Sequence, residues 1–436
     1  MNGPLDFSIP ALGPCRYDSP LLACETGEMR PHFVDDRERI VFDDRVSQLS
    51  AADRGIDWPA YVLAGPREKI YFAPQEVRAG IVTCGGLCPG INDVIRSLVM
   101  TAWYRYGVRT LYGFRYGFRG LVDEQTPPWE LTPELVSHIH EQGGTILGSS
   151  RGHQDVGRMV QRLAELRVQI LFVIGGDGTI RGAMALAEEA RRRNYELSVI
   201  GLPKTIDNDI RYIDQSFGFE TAYAEAVEAI RGAHTEAVGA LGGIGLVKLM
   251  GRESGFIACH ASLAASHVNL VLIPEVPFRL EGENGLLRLV ERRLQRRQHA
   301  LIVVAEGAGQ DLIPGDVGRD RSGNLKLKDI GLFLVRELQT YFAQRNTEVS
   351  IKYIDPSYII RSVPARPPDS VYCSRLAQNA VHAAMCGKTE MVVGSWHGRF
   401  VHVPMRLLVT GRQRVDPGSD LWLSVLEATG QPAHIG

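Results

Sequence analysis

Short apolar, β-rich runs alternate with longer stretches of helical spacing from Ala79 to about residue 355, and this alternation restricts the fold more than any other feature. The strand candidates are Gly80–Cys84, Val108–Tyr112, Ile170–Ile174, Ser198–Leu202, Ile244–Lys248, Asn269–Ile273, Ala300–Ala305 and Val349–Ile354. Helical spacing occupies Asp93–Tyr106, Glu134–Gln142, Val156–Leu166, Ala183–Arg193, Glu220–His234, Ser254–Ala265, Leu286–Arg297 and Leu332–Gln344. Strands this apolar, each followed by a helix, predict parallel sheets covered on both faces. In such folds ligands bind beyond the carboxyl ends of the strands.

At 436 residues the chain is too long for one ordinary core. The eight strands divide near residues 212–218, which predicts an α/β protein of two Rossmann-like lobes. Mainly parallel sheets, helices on both faces and an active site in the cleft between the lobes are expected. The boundaries are an irregular extension over residues 1–77 that packs on the core, lobes at 78–215 and 216–355, and a segment at 356–436 returning to the first lobe. Hydrophobic content of 44% and charged content of 22% are those of a soluble globular protein. A formal charge of −2 argues against nucleic-acid binding. Seven scattered cysteines with no CxxC pair read as reduced thiols. No apolar run is long enough to span a bilayer, and the N-terminus resembles neither a signal nor a transit peptide, so no membrane association and a cytoplasmic location are expected.

Two motifs carry chemistry. VIGGDGT, Val173 to Thr179, runs an apolar strand into paired glycines, an acid, a glycine and a hydroxyl, with a helix following. Glycine lets backbone amides approach an anion, and a helix start adds unpaired N–H groups and a positive dipole end. Asp177 in such a turn is placed to meet the metal that accompanies a polyphosphate. GLPKTIDNDI, Gly201 to Ile210, ends another strand in Lys204, Thr205, Asp207 and Asp209. In an extended segment Asp207 and Asp209 share one side, with Asn208 opposite; an Asx-rich turn that merely ends the strand is the plainer alternative. Together the two motifs read as a phosphoryl-transfer site.

Further turns support this. CGGLCPGIN (Cys84 to Asn92) and GSSRG (Gly148 to Gly152) close strand-to-helix connections, though neither fits GxGxxG or the Walker A spacing. Arg151 offers a fork of donors able to bridge phosphates. VKLMGRESG (Val247 to Gly255), AEGAGQ (Ala305 to Gln310) and KYIDPSYIIR (Lys352 to Arg361) add Arg252, Glu306, Lys352, Tyr358 and Arg361. Most Lys and Arg are ordinary surface cations, but three at strand ends with a carboxylate among them suit a sugar phosphate.

The order GGLCPGIN, GSSRG, GGDGT, PKTIDND, GFETA, MGR, AEG and Tyr-x-x-Arg resembles the phosphofructokinase family over roughly residues 78 to 410. KLMGRESGFIACHASLA and KYIDPSYIIR look like its plant and trypanosomatid ATP-dependent branch, close to the pyrophosphate-dependent enzymes. The resemblance implies an ATP-dependent 6-phosphofructokinase of glycolysis, with 78–215 binding nucleotide and 216–355 binding sugar phosphate. It implies that Gly86, Arg151, Gly152, Gly176, Asp177, Gly178 and Thr179 bind ATP, and that Asp177 holds Mg²⁺. Arg151, Lys204, Thr205 and Asp207 become catalytic, with Asp207 the base for the C1 hydroxyl. Thr205, Ile206, Asp207, Met250, Gly251, Arg252, Glu306, Lys352 and Tyr358, Ile359, Ile360 and Arg361 become the fructose 6-phosphate set. A homo-oligomer, dimer or tetramer, is implied, and Lys352 stands where short bacterial enzymes have an arginine supplied by a neighbouring subunit. Two features depart from those enzymes. Gly242-Gly243 replaces a substrate-binding arginine, and Met100 replaces one of two effector arginines while Arg96 matches the other, which implies a weak effector response.

The donor is marked at two positions. Lys204 is typical of pyrophosphate-dependent relatives. Gly178 points to ATP, because an aspartate there would fill the space of the α-phosphate and repel its charge. Exclusion by a clash outweighs a missing cation, so ATP is the expected donor and pyrophosphate the alternative. NAD and lipid kinases share GGDGT but not PKTIDND, and form a more distant alternative.

Overall fold

A computed structural model describes residues 5–24, 32–45, 58–315, 318 and 326–436. Its described residues form an α/β protein with mixed and parallel sheets and flanking helices, grouped into two compact units. The first unit draws on Met1–Thr205, Ile210–Gly218 and Val363–Arg412; the second on Ile206–Asp209, Phe219–Ser362 and Gln413–Gly436.

The first unit is built on a nine-stranded sheet. In chain order its strands are β1 (Arg39–Val41), β2 (Ala60–Leu63), β3 (Arg78–Thr83), β4 (Thr110–Phe114), β5 (Trp129–Glu130), β6 (Ile170–Gly175) and β7 (Ser198–Pro203). The second unit contributes β8 (Gly243–Leu249), β9 (Leu270–Leu272), β10 (His299–Ala305) and β11 (Ser350–Ile354) to a sheet of its own, after which β12 (Met391–Trp396) and β13 (Arg399–Pro404) return to the first. The order across the large sheet is β1-β2-β13-β12-β7-β6-β3-β4-β5. Its centre, β12 to β4, is parallel, and both flanks are antiparallel, so the sheet is mixed rather than mainly parallel. The central strands are the most apolar: every residue of β6 and β7 is buried, as expected where helices cover both faces. The second unit's order, β9-β10-β8-β11, is parallel throughout.

The N-terminal stretch does more than pack irregularly. β1 and β2 extend the sheet beside β13, and Phe7 and the fully buried Tyr61 meet edge-on at 4.6 Å. Phe42 stacks on Trp396 with ring centroids 5.1 Å apart. Two and three paired residues leave too short a pattern for periodicity to register. The expected helix at Glu134–Gln142 is instead a run of turns with a short 3₁₀ piece at Ile139–Glu141. Asn92 and Arg96, on helix Ile91–Thr101, donate to the carbonyls of Gln142 and Ser137 at 3.0 and 3.1 Å. These tertiary hydrogen bonds fasten the segment to that helix and satisfy its carbonyls in the irregular form.

Among the described residues no helix is long and apolar enough to cross a membrane.

Candidate active site

Parallel register gathers the first set of motifs. Thr83 lies opposite Ile174 and Gly175 opposite Pro203, so β3, β6 and β7 end at one level. The residues just past these three ends are therefore adjacent in space: Cys84–Gly86, Gly176–Asp177 and Lys204. The buried Lys204 donates from Nζ to the carbonyl of Gly86 at 2.6 Å. Its backbone N–H donates to Gly175 at 3.0 Å. A Cβ on Gly175 would come within 2.4 Å of the Thr179 side chain, so this crossing tolerates no side chain.

The GSSRG loop is fastened to the same turn. Ser149 Oγ donates to the Gly85 carbonyl at 2.6 Å, Gly85 N to Ser150 at 3.2 Å, and Thr83 Oγ1 to Gly148 at 2.6 Å. Arg151 and Gly152 lie exposed just beyond these anchors, Gly152 with φ of 106°. The helix following β6 starts earlier than its apolar spacing suggests. It runs Asp177–Arg192 with Gly176 as its N-cap, which places Asp177, Gly178 and Thr179 in the first turn. Their amides thus belong to the helix end that attracts anions.

Asp177 Oδ2 accepts from Arg181 at 3.1 Å, while Oδ1 is buried without a hydrogen-bond partner. Among the described residues no group of three or more His, Cys, Asp or Glu could hold a metal. One carboxylate with a spare oxygen still fits Mg²⁺, which usually takes one or two carboxylates together with water and substrate phosphates. Gly178 is exposed, and a Cβ built there meets nothing within 4 Å.

The second set lies on the second unit. Leu249 pairs with Ala305, so Met250–Arg252 and Glu306 emerge side by side from β8 and β10. Glu306 N donates to the Leu249 carbonyl at 2.8 Å and Gly307 N to Gly251 at 3.1 Å. The approach is tight enough that a Cβ on Gly307 would sit 1.9 Å from the Arg252 carbonyl oxygen. Burial raises the Glu306 carboxyl above its usual range, against the opposing pull of Arg252, Lys248 and Arg361. Arg361 lies over the Tyr358 ring at 4.8 Å on the short helix Ile359–Ser362, whose Ile360 is fully buried while Tyr358 and Ile359 are exposed.

Because the folded protein holds the Glu306 proton more tightly than the unfolded chain, stability from this site is greatest at low pH and falls as pH rises through the folded-state pKa. Glu306→Gln should therefore melt above wild type at pH 8, with the gap shrinking toward pH 4.5. Thermal melts across that range test this; a gap independent of pH would mean the carboxyl does not carry the effect.

Asp207 falls with the second unit, and its backbone carbonyl accepts from Ser254 Oγ at 3.0 Å. The stretch is not extended: Asn208 takes φ of 52°. The left-handed turn there breaks the alternation that would set Asp207 and Asp209 on one side. Thr205 closes the first unit, its carbonyl accepting from Ser216 Oγ at 2.7 Å, and Ile206 is buried.

Lys352 is not gathered with Arg252, Glu306 and Arg361. It pairs across from Gly245, four residues before the end of β8, or about 13 Å at ~3.3 Å per residue. Its ammonium lies 3.7 Å from Glu236. Gly242 and Gly243 have a structural cause: a Cβ on either would come within 2.5 or 1.9 Å of the carbonyl oxygens of Glu348 and Ala237.

Sequence reasoning missed several neighbours. Tyr116 binds through its backbone to Leu147 and Ser150 of the GSSRG connection, at 2.8 and 2.6 Å. Lys248 pairs with Asp329 and Asp355 at 3.1 and 2.8 Å. The segment Gln413–Val415 reaches both the Asp207–Asp209 stretch and the loop after β8. Gln413 N donates to Asp209, Arg414 pairs with Glu253 at 3.1 Å, and Val415 N donates to Glu275, which also accepts from Gly255 N. Only the YGFRYGF aromatic–glycine pattern offered a signal for any of these.

The phosphofructokinase family model matches residues 78–384. A relative from Borreliella burgdorferi named ATP-dependent 6-phosphofructokinase is 48% identical, covering 99% of this chain and 98% of its own. ATP-dependent 6-phosphofructokinase 7 of Arabidopsis thaliana is 48% identical over 86% of this chain and 77% of its own. The ATP-dependent 6-phosphofructokinase of Trypanosoma cruzi is 44% identical over 92% and 83%. Among solved structures, a pyrophosphate-dependent phosphofructokinase from Marinobacter aquaeolei superposes with a TM-score of 0.66 over 81% of this chain and 91% of its own, at 18% identity. That likeness is one of fold.

Proposed function

The chain belongs to the phosphofructokinase family, related to its plant and trypanosomatid branch, and from that premise we propose that it is an ATP-dependent 6-phosphofructokinase. It transfers the γ-phosphoryl group of ATP to the C1 hydroxyl of fructose 6-phosphate, giving fructose 1,6-bisphosphate and ADP. One observation carries the reading: Lys204, held against Gly86 between the glycine turns, continues without a break into Thr205, Ile206 and Asp207. A phosphate-side cation and an acceptor-side base on four consecutive residues suit transfer between two bound substrates.

Phosphoryl transfer asks for little covalent chemistry from the protein, so catalysis is positioning and charge stabilisation. The amides of Gly176 and Gly178 and the positive helix end would receive the donor phosphates, with Thr179, Gly86 and Gly152 lining their approach. Arg151 supplies a planar fork and Lys204 a compact charge around the moving group. Asp207 takes the C1 proton, with Thr205 orienting the acceptor. Arg252 and Arg361 hold the 6-phosphate and Glu306 a ring hydroxyl, while Met250, Gly251, Tyr358, Ile359 and Ile360 shape the pocket. Asp177 would hold Mg²⁺, which supplies charge neutralisation on the donor phosphates when bound. A homo-oligomer belongs to the proposal, with Lys352 serving a neighbouring copy's sugar phosphate; a monomer in sedimentation at assay concentrations would remove that part.

Coupled assays test the function directly. With ATP as donor, fructose 6-phosphate should turn over, while NAD and diacylglycerol should not; pyrophosphate should be the poorer donor. Turnover of NAD or lipid without fructose 6-phosphate would overturn the assignment.

A further inference from the structure

Away from these motifs, the first unit brings two cysteines far apart in sequence together. Residues 10–16 run beside the end of helix Pro367–Met385, with Ala11 bridging antiparallel to Lys388. Leu12 N donates to Gly387 at 2.9 Å, Thr389 N to Pro10 at 3.0 Å and Arg16 N to Ile70 at 2.9 Å. This strapping sets the two cysteines side by side, with Cys15 Sγ donating to the Cys386 carbonyl oxygen at 3.6 Å. Cys386 Sγ in turn lies 3.7 Å from the Lys69 carbonyl oxygen. Cys15 is half-buried and Cys386 buried. The pair lies at the amino-terminal end of the central strands, since Ser198, which opens β7, donates to the Lys388 carbonyl at 2.6 Å. The glycine turns occupy the opposite end.

We propose that Cys15 and Cys386 form a dithiol–disulfide pair that responds to hydroperoxides, with Cys15 the attacking sulfur and Cys386 the resolving one. In the first step the Cys15 thiolate attacks one peroxide oxygen and the O–O bond breaks. The sulfur loses two electrons and becomes a sulfenic acid; the other oxygen leaves and takes a proton, giving an alcohol, or water from hydrogen peroxide. In the second step the Cys386 sulfur attacks Cys15 Sγ, an S–S bond forms and the S–O bond breaks. The Cys386 proton and the departing hydroxide leave as water.

The surroundings divide the two roles. The neighbouring Cys386 side chain, helped by Lys388 and Arg67 and opposed by burial and Asp36, holds the Cys15 thiol down to about 7. A lowered thiol pKa favours the thiolate, the reactive form. The Cys15 side chain, then burial, hold the Cys386 thiol well above the ordinary range, as suits a group that reacts only once a sulfenic acid stands beside it. Elsewhere burial pushes Cys84 up to about 12, and Cys88, Cys259 and Cys373 are buried. Asp36, which pairs with Arg67 at 3.0 Å and with Lys388, keeps both cations in place beside the pair.

The test uses the full chain and hydrogen peroxide at pH 7. Thiols counted after denaturation should fall from seven to five and return with dithiothreitol, and a peptide map should join Cys15 to Cys386. Cys386→Ser should stop at a Cys15 sulfenic acid that dimedone traps, and Cys15→Ser should keep all six of its thiols under the same exposure. Both variants should retain kinase activity when reduced, which shows that they fold. Seven thiols remaining in the oxidised wild type, a cross-link through another pair, or no dimedone adduct at Cys15 in Cys386→Ser would overturn the proposal.

Discussion

Replacing Asp207 with serine is expected to lower kcat by about 10²–10⁴-fold, the range a general base contributes, while KM for fructose 6-phosphate stays near wild type. A base that accepts the C1 proton acts mainly in the transition state, so its loss falls on kcat rather than on ground-state binding. The loop has an anchor that survives the change: Ser254 Oγ holds the backbone carbonyl of residue 207, not its side chain. Arg252, Glu306 and Arg361, the residues proposed to bind the sugar phosphate, are carried on other segments and are left in place. Steady-state kinetics with the sugar varied at saturating ATP decide the matter. Near-wild-type turnover would remove Asp207 from the chemistry, whereas a matching rise in KM with unchanged kcat would make it a binding residue.

Gly178→Asp is expected to cost ATP about 10²-fold or more in kcat/KM, because setting like charges against each other costs several kcal/mol. The site makes this a clean substitution. A Cβ at position 178 meets nothing within 4 Å, and the residue lies in the first turn of helix Asp177–Arg192, where an acidic side chain suits the helix dipole. The variant should therefore fold at least as well as wild type, and the loss should fall on a ligand that needs the space above the helix start. Pyrophosphate, lacking an α-phosphate and nucleoside, should lose far less. The measurement is kcat/KM for both donors in both proteins. A wild-type preference for pyrophosphate, or equal losses for both donors in the variant, would sink the reading of Gly178 as the donor determinant.

What could be read from the sequence, and what could not, divides along a physical line. β6 and β7 were plain because each is a continuous apolar run whose residues are all buried, and a run of that kind reports its own surroundings. Glycines and polar residues directly after such runs mark strand ends, where an α/β protein puts its ligands. The family resemblance likewise rests on local strings, GGDGT and PKTIDND above all.

The rest depended on partners distant in the chain. β1 and β2 exist as strands because β13, more than three hundred residues later, offers them an edge. Glu134–Gln142 has helical spacing, yet Asn92 and Arg96 claim its carbonyls. The turn at Asn208 overrides the alternation of Asp207 and Asp209, and the register of β11 on β8 sets Lys352 away from Glu306. Nothing local brings Lys204 Nζ to Gly86, or Cys15 to Cys386 across a separation of 371 residues. The sequence by itself determined the strand–helix alternation, the ends at which chemistry could lie and the family. Tertiary structure alone decided which of those ends meet, because hydrogen-bond pairing, strand register and shared burial are properties of two segments at once, and one segment's pattern records only its own half.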